Sequence, residues 1–180
     1  MASLVVEAPR KILDAPRTLL LESMCAWLEQ QPEFSALPNS EIVVTILPGD
    51  CLPPRYAGQR KRKREAVGCF AATRAGRLNP IWEVAIAYGP TYADEYDVGA
   101  WTTTLPHELL HLMAFAIAHH SKPPLQAGFE AIHSQAPNEE AIEDLARDID
   151  DRFCAGHGQQ LSDPRLLLAA ADAIEAIPSL

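Results

Sequence analysis

Residues 104–120, TLPHELLHLMAFAIAHH, constrain the fold more than any other stretch of this chain. They are apolar on nearly every face, which predicts a helix buried among other elements. The chain must therefore build its core around its own middle. Yet the same segment carries two imidazoles and a carboxylate: His107, Glu108 and His111. Polar groups in such a helix are costly unless they find partners. Pro106 directly precedes the first of them, which places the helix start almost at His107.

His107-Glu108-Leu109-Leu110-His111 has the pattern HExxH. Residues four apart on a helix share a face. Two imidazoles there can bind one Zn²⁺ at about 2.0–2.1 Å each. Glu108 follows the first ligand and can reach a water on the metal's open side. Zinc lowers the pKa of that water, and the carboxylate takes its proton as general base. The competing expectation is a pair of hydrogen-bonded histidines without metal.

A catalytic zinc site wants three protein ligands. No third His stands six residues beyond the pair, and His119 and His120 read as the exposed end of the helix. The segment 138–153, NEEAIEDLARDIDDRF, supplies the better source. Its apolar stripe is Ile142, Leu145, Ala146, Ile149 and Phe153. Glu139 flanks that stripe, so the helical face favours it as third ligand. Glu143, one turn on, is placed to orient a ligand. Glu140 points about 100° away from Glu139 and remains the competing choice.

The rest of the chain predicts an α+β fold in one domain over 1–180, with its core at about 15–153 and an extension helix in 154–180. The expected order is a helix at 15–31 limited by Pro32, a strand at 41–47, and two strands at 67–74 and 81–88 joined by a turn-forming connector. The buried helix, the helix 138–153 ended by Gly156 and Gly158, and a helix at 163–176 capped by Asp163 follow. This gives a three-stranded sheet. Residues 48–65, 89–101 and 121–137 read as loops, with a short helix near 125–133.

Lys and Arg number 15 against 24 Asp and Glu, a net charge of −9. That balance argues against a nucleic-acid binder, although Arg60–Arg64 is a basic run in a loop. No run of 18 apolar residues exists, so no membrane span is expected. The start has no basic stretch ahead of an apolar core, and no CxxC occurs among the four cysteines. A cytoplasmic, reducing setting with free thiols is the expectation. Cys154 and His157 have ligand-like spacing but no second pair to complete a site.

HELLH followed by a Glu on a second helix resembles the gluzincin branch of the zincin metallopeptidases. The whole of about 15–153, with IWEVAIAY before the active helix, resembles a minimal zincin domain. That resemblance implies an edge strand, here 81–88, that pairs with substrate backbone beside the cleft. The segment E-x-x-I-x-x-L-A, Glu139 to Ala146, is similar to the third-ligand helix of small intracellular and phage-borne metallopeptidases. Among them is the family that cleaves repressors in stress or prophage induction, which implies Glu139 as ligand. Glu140 to Asp144 is similar to the thermolysin-like NExxxD, which implies Glu140 as ligand with Asp144 supporting it. Leu110 departs from the Gly of many members. Tyr88, Tyr92, Tyr96, His133 and His157 are the candidates for steadying an oxyanion.

The expectation is thus a Zn²⁺-dependent metallopeptidase of gluzincin type acting on a peptide or protein. His107, His111 and Glu139 hold the metal and Glu108 activates water. The alternatives are a zincin-like binding or regulatory module that does not cleave, and a zinc hydrolase of a non-peptide substrate.

Overall fold

Alternation along Glu41–Pro48 fixes the centre of the fold. Ile42, Val44 and Ile46 are fully buried, while Val43, Thr45 and Leu47 between them are only half-buried. A strand with one face wholly inside needs a covering layer on that face. The computed structural model describes residues 2–8, 12–49, 52, 68–73, 81–88, 99–118 and 136–162. Its elements are β1 (Ser3–Glu7), α1 (Ala15–Leu28), a 3-10 turn (Pro32–Phe34), β2 (Glu41–Pro48), β3 (Gly68–Thr73), β4 (Ile81–Tyr88), α2 (Gly99–Ala118) and α3 (Ala136–Ser162).

The described residues form a small mixed α/β fold, compatible with the α+β expectation at that coarse level. Among the described residues the sheet has four strands, not three, in the order β1-β2-β4-β3. β1 pairs parallel to β2 and β2 parallel to β4, while β3 runs antiparallel to β4 at the edge. β1 escaped the sequence reading because five residues with two inward apolar positions, Leu4 and Val6, carry little signal. It gains its place from register, with Leu4 beside Ile42 and Val6 beside Val44. Its Leu4 amide donates to Glu29 Oε1 at 2.6 Å, so a side chain beyond α1 occupies a donor on the strand's outer edge.

The expected edge strand 81–88 is central, with β2 on one side and β3 on the other. Its composition explains this: Trp82, Val84, Ile86 and Tyr88 are buried on one face, and Ala85 and Ala87 on the other. A strand covered on both faces belongs inside a sheet. The helices lie on the first face, where α1 (Leu20, Leu21, Met24, Leu28), α2 (Leu105, Leu109, Leu112) and α3 (Ala146, Ile149, Phe153) share one core with Ile42, Val44, Ile46, Val84 and Ile86. A smaller cluster of Leu52, Ala85 and Ala87, with Leu47 against it, lies on the opposite face.

Three helix boundaries differ from expectation. α1 ends at Leu28 and the 3-10 turn follows; its start is set by Asp14, whose Oδ1 accepts from the Arg17 amide at 3.0 Å. α2 begins at Gly99, so Pro106 lies inside the helix rather than at its start. A proline there removes one backbone bond, to the carbonyl four residues back, and burial of the surrounding turns holds the helix together regardless. α3 begins at Ala136, two residues before the expected start, and the helix kinks at His157 (φ −123°, ψ 21°), between Gly156 and Gly158, where the break was expected; a further helical stretch continues to Ser162. The basic run 60–64, the connector 75–80, the short helix near 125–133 and the helix 163–176 lie outside the described residues, as do Tyr92, Tyr96, His119, His120 and His133.

Candidate metal centre

Leu105, Leu109 and Leu112 are fully buried and seat α2 against the sheet. That seating fixes the rotation of the helix and with it the direction of His107, Glu108 and His111. His111 has no exposed surface, Glu108 is 5% exposed, and the His107 side chain is 21% exposed. The pair is thus graded, with His111 deep and His107 nearer solvent.

Glu139 reaches this pair from the first turn of α3. Its Oε1 lies 3.3 Å from His107 Nε2 and its Oε2 lies 3.1 Å from His111 Nε2. The two Nε2 atoms are themselves 3.1 Å apart. All three residues offer ligand atoms within 4.8 Å of one another. Tetrahedral ligands at about 2.0–2.1 Å from an ion stand about 3.3–3.4 Å apart, so the spacing suits a small divalent cation. Two imidazoles and a carboxylate are a donor set that such ions accept. Among the described residues no other group of His, Cys, Asp or Glu converges in this way.

Among the described residues Glu108 is the one buried carboxylate. Its Oε2 is buried and has no hydrogen-bond partner among them. Burial first, and then the neighbouring Glu139 carboxylate, push its carboxyl up to about 8. A carboxyl so placed holds a proton near neutral pH and needs a nearby cation or bound water to stabilise its charge.

The other sequence candidates sit elsewhere. Glu140 is exposed and stands outside the cluster. Glu143, expected to orient a ligand, is instead paired with Arg147 at 2.6 Å, and Asp144 with the same guanidinium at 3.0 Å. The spacing that put Glu143 on Glu139's side also put Arg147 one turn beyond it, on the solvent face. His157 is 18 residues from Glu139 along α3, about 27 Å at 1.5 Å per residue, so it does not reach the centre. Its Nδ1 lies 3.0 Å from the Phe153 carbonyl, and Cys154 Sγ donates to Asp150 Oδ1 at 3.3 Å, so each half of the Cys154–His157 pair is engaged locally. Tyr88 is buried at the end of β4. Cys25 is a free, buried thiol pushed up to about 12 by desolvation, with Glu29 and Glu22 adding to it.

Comparison with protein-family models, with curated proteins and with solved structures gives no match to this chain.

Proposed function

We propose that this chain is a zinc-dependent metallopeptidase of gluzincin type, acting on a peptide or protein substrate in the cytoplasm. The observation that carries the reading is the convergence of His107, His111 and Glu139, from two helices, with Glu108 buried beside them. His107 and His111 would hold the ion from α2 and Glu139 from α3. A divalent cation there supplies Lewis acidity and lowers the pKa of water. The chain's own work is then divided. His111, fully buried, keeps one side of the centre dry, and His107 leaves the other side open. With a cation beside it to stabilise its charge, Glu108 would accept a proton on Oε2, which has no hydrogen-bond partner among the described residues.

Among the described residues the strand that ends the sheet beside α2 is β3, which runs antiparallel to β4 and touches α2. An extended substrate would add to that edge by backbone pairing. This moves the docking strand proposed from the zincin resemblance from 81–88 to 68–73.

The burial of Glu108 favours one second reading, a metal-binding module of the same fold that does not cleave. Metal content and cleavage of a peptide library separate the two. On the peptidase reading, wild type and Glu108→Gln each hold about one zinc and His111→Ala holds none. Cleavage is then present in wild type and falls in Glu108→Gln by about 10²-fold or more. Zinc without cleavage would leave the binding module, and no zinc in any form would remove both.

A further inference from the structure

The C-terminal half of α3 is fastened by one guanidinium. Arg152 Nη2 donates to Glu33 Oε1 at 2.6 Å and Nη1 to Gln31 Oε1 at 3.3 Å. Its Nε faces Asp148 Oδ2 at 3.1 Å, and its Cζ stands 5.9 Å from the centre of the Trp27 ring. Beneath it Phe153, fully buried, packs on Trp27 at 5.4 Å and stacks on His157 at 4.2 Å. Glu33 belongs to the 3-10 turn, and that turn touches α2. Arg152 therefore ties α3 to chain seated against the helix that carries both histidines.

The opposite half of α3 carries fewer buried side chains. Glu140, Ala141, Glu143, Asp144 and Leu145 are exposed and Ile142 is half-buried, so among the described side chains of the helix full burial begins at Ala146. Glu139 lies at this end, about 20 Å along the axis from Arg152. Apolar contacts at Ala146, Ile149 and Phe153 are non-directional, and small rotations of the helix cost them little. A planar guanidinium shared between two acceptors fixes both distance and angle. A step of one residue on the helix turns a side chain by about 100°, so the rotation of α3 decides whether Glu139 meets the histidines at all.

We propose that Arg152 is a positioning residue for Glu139, holding α3 at the rotation and height at which that carboxylate meets His107 and His111. The inference rests on the reading that these three residues bind a metal. It is tested by titrating the full chain with Co²⁺, following affinity and the visible ligand-field band. The forms compared are wild type, Arg152→Met, Glu33→Gln, the exchanged pair Arg152→Glu with Glu33→Arg, and Ile42→Val. Arg152→Met is expected to bind Co²⁺ roughly 2- to 30-fold more weakly, the range of couplings carried through packed networks, with an altered band. The exchanged pair is expected to recover most of the loss. Ile42→Val, which weakens the core in β2 away from the clamp, is expected to keep wild-type affinity. Wild-type affinity and band in Arg152→Met would overturn the proposal, as would an equal loss in Ile42→Val. Should Arg152→Met not fold, Glu33→Gln decides: it keeps the shape, removes the charge, and overturns the proposal if affinity is unchanged. Absence of Co²⁺ binding in wild type would instead sink the metal reading itself.

Discussion

Glu108 is the residue whose environment is most at odds with its chemistry. It is buried beside Glu139, and its carboxyl is pushed from an ordinary 4.5 up to about 8. A folded-state pKa above the unfolded value gives stability that is complete below about pH 4.5 and lost as pH rises through about 8. In metal-free protein this loss runs at roughly 1.4 kcal/mol per pH unit between those limits. Chemical denaturation of chelator-treated protein at pH 5 and pH 8 measures it. Glu108→Gln, which has no proton to lose, is expected to be flatter across this window than wild type, and equal slopes would refute the assignment. The HExxH spacing made His107, Glu108 and His111 legible from sequence, because four-residue spacing is enough to put two side chains on one face. The depth of Glu108 was not legible, since burial depends on what packs over α2 and not on α2 itself.

At the scale of elements, helix ends carry the clearest expectations. Asp14 caps α1 through the Arg17 amide and also pairs with the Arg17 side chain at 2.6 Å. Asp14→Ala should cost about 1 kcal/mol in denaturant midpoint experiments. Gly156 lies inside α3, and a Cβ added there would meet nothing within 4 Å. Gly156→Ala should therefore stabilise by about 0.5–1 kcal/mol, and a destabilised variant would show that the backbone near His157 needs glycine. Helix interiors also show where sequence reading held and where it stopped. Gly156 and Gly158 marked the interruption of α3, which kinks at His157 between them. Pro106 misled, because a buried helix tolerates the bond it removes. β2, β4 and the stripe of α3 were legible because their periodicity is long enough to register. β1 was not, because five residues with two inward apolar positions are too short a run to register.

For the molecule as a whole, the candidate centre joins two helices whose ligands are separated by nearly thirty residues of chain. Binding that requires the folded arrangement adds to folding stability by mass action. Zinc at about a hundred times its dissociation constant is worth about 2.7 kcal/mol. For a chain of this length that corresponds to a rise in melting temperature of roughly 5–10 °C. The rise should vanish in His111→Ala and with chelator, and its persistence in that variant would place the metal elsewhere. The sheet itself has two unlike margins. On β1 the Leu4 amide is occupied by Glu29, while β3 ends the sheet with a partner on one side only among the described residues. In polymer terms the two margins differ in reactivity: one outward donor of β1 is already spent, so strand-to-strand addition is favoured at β3. Freeing the Leu4 amide would return that donor and ease addition at the second margin, the step by which a pair can grow into a filament.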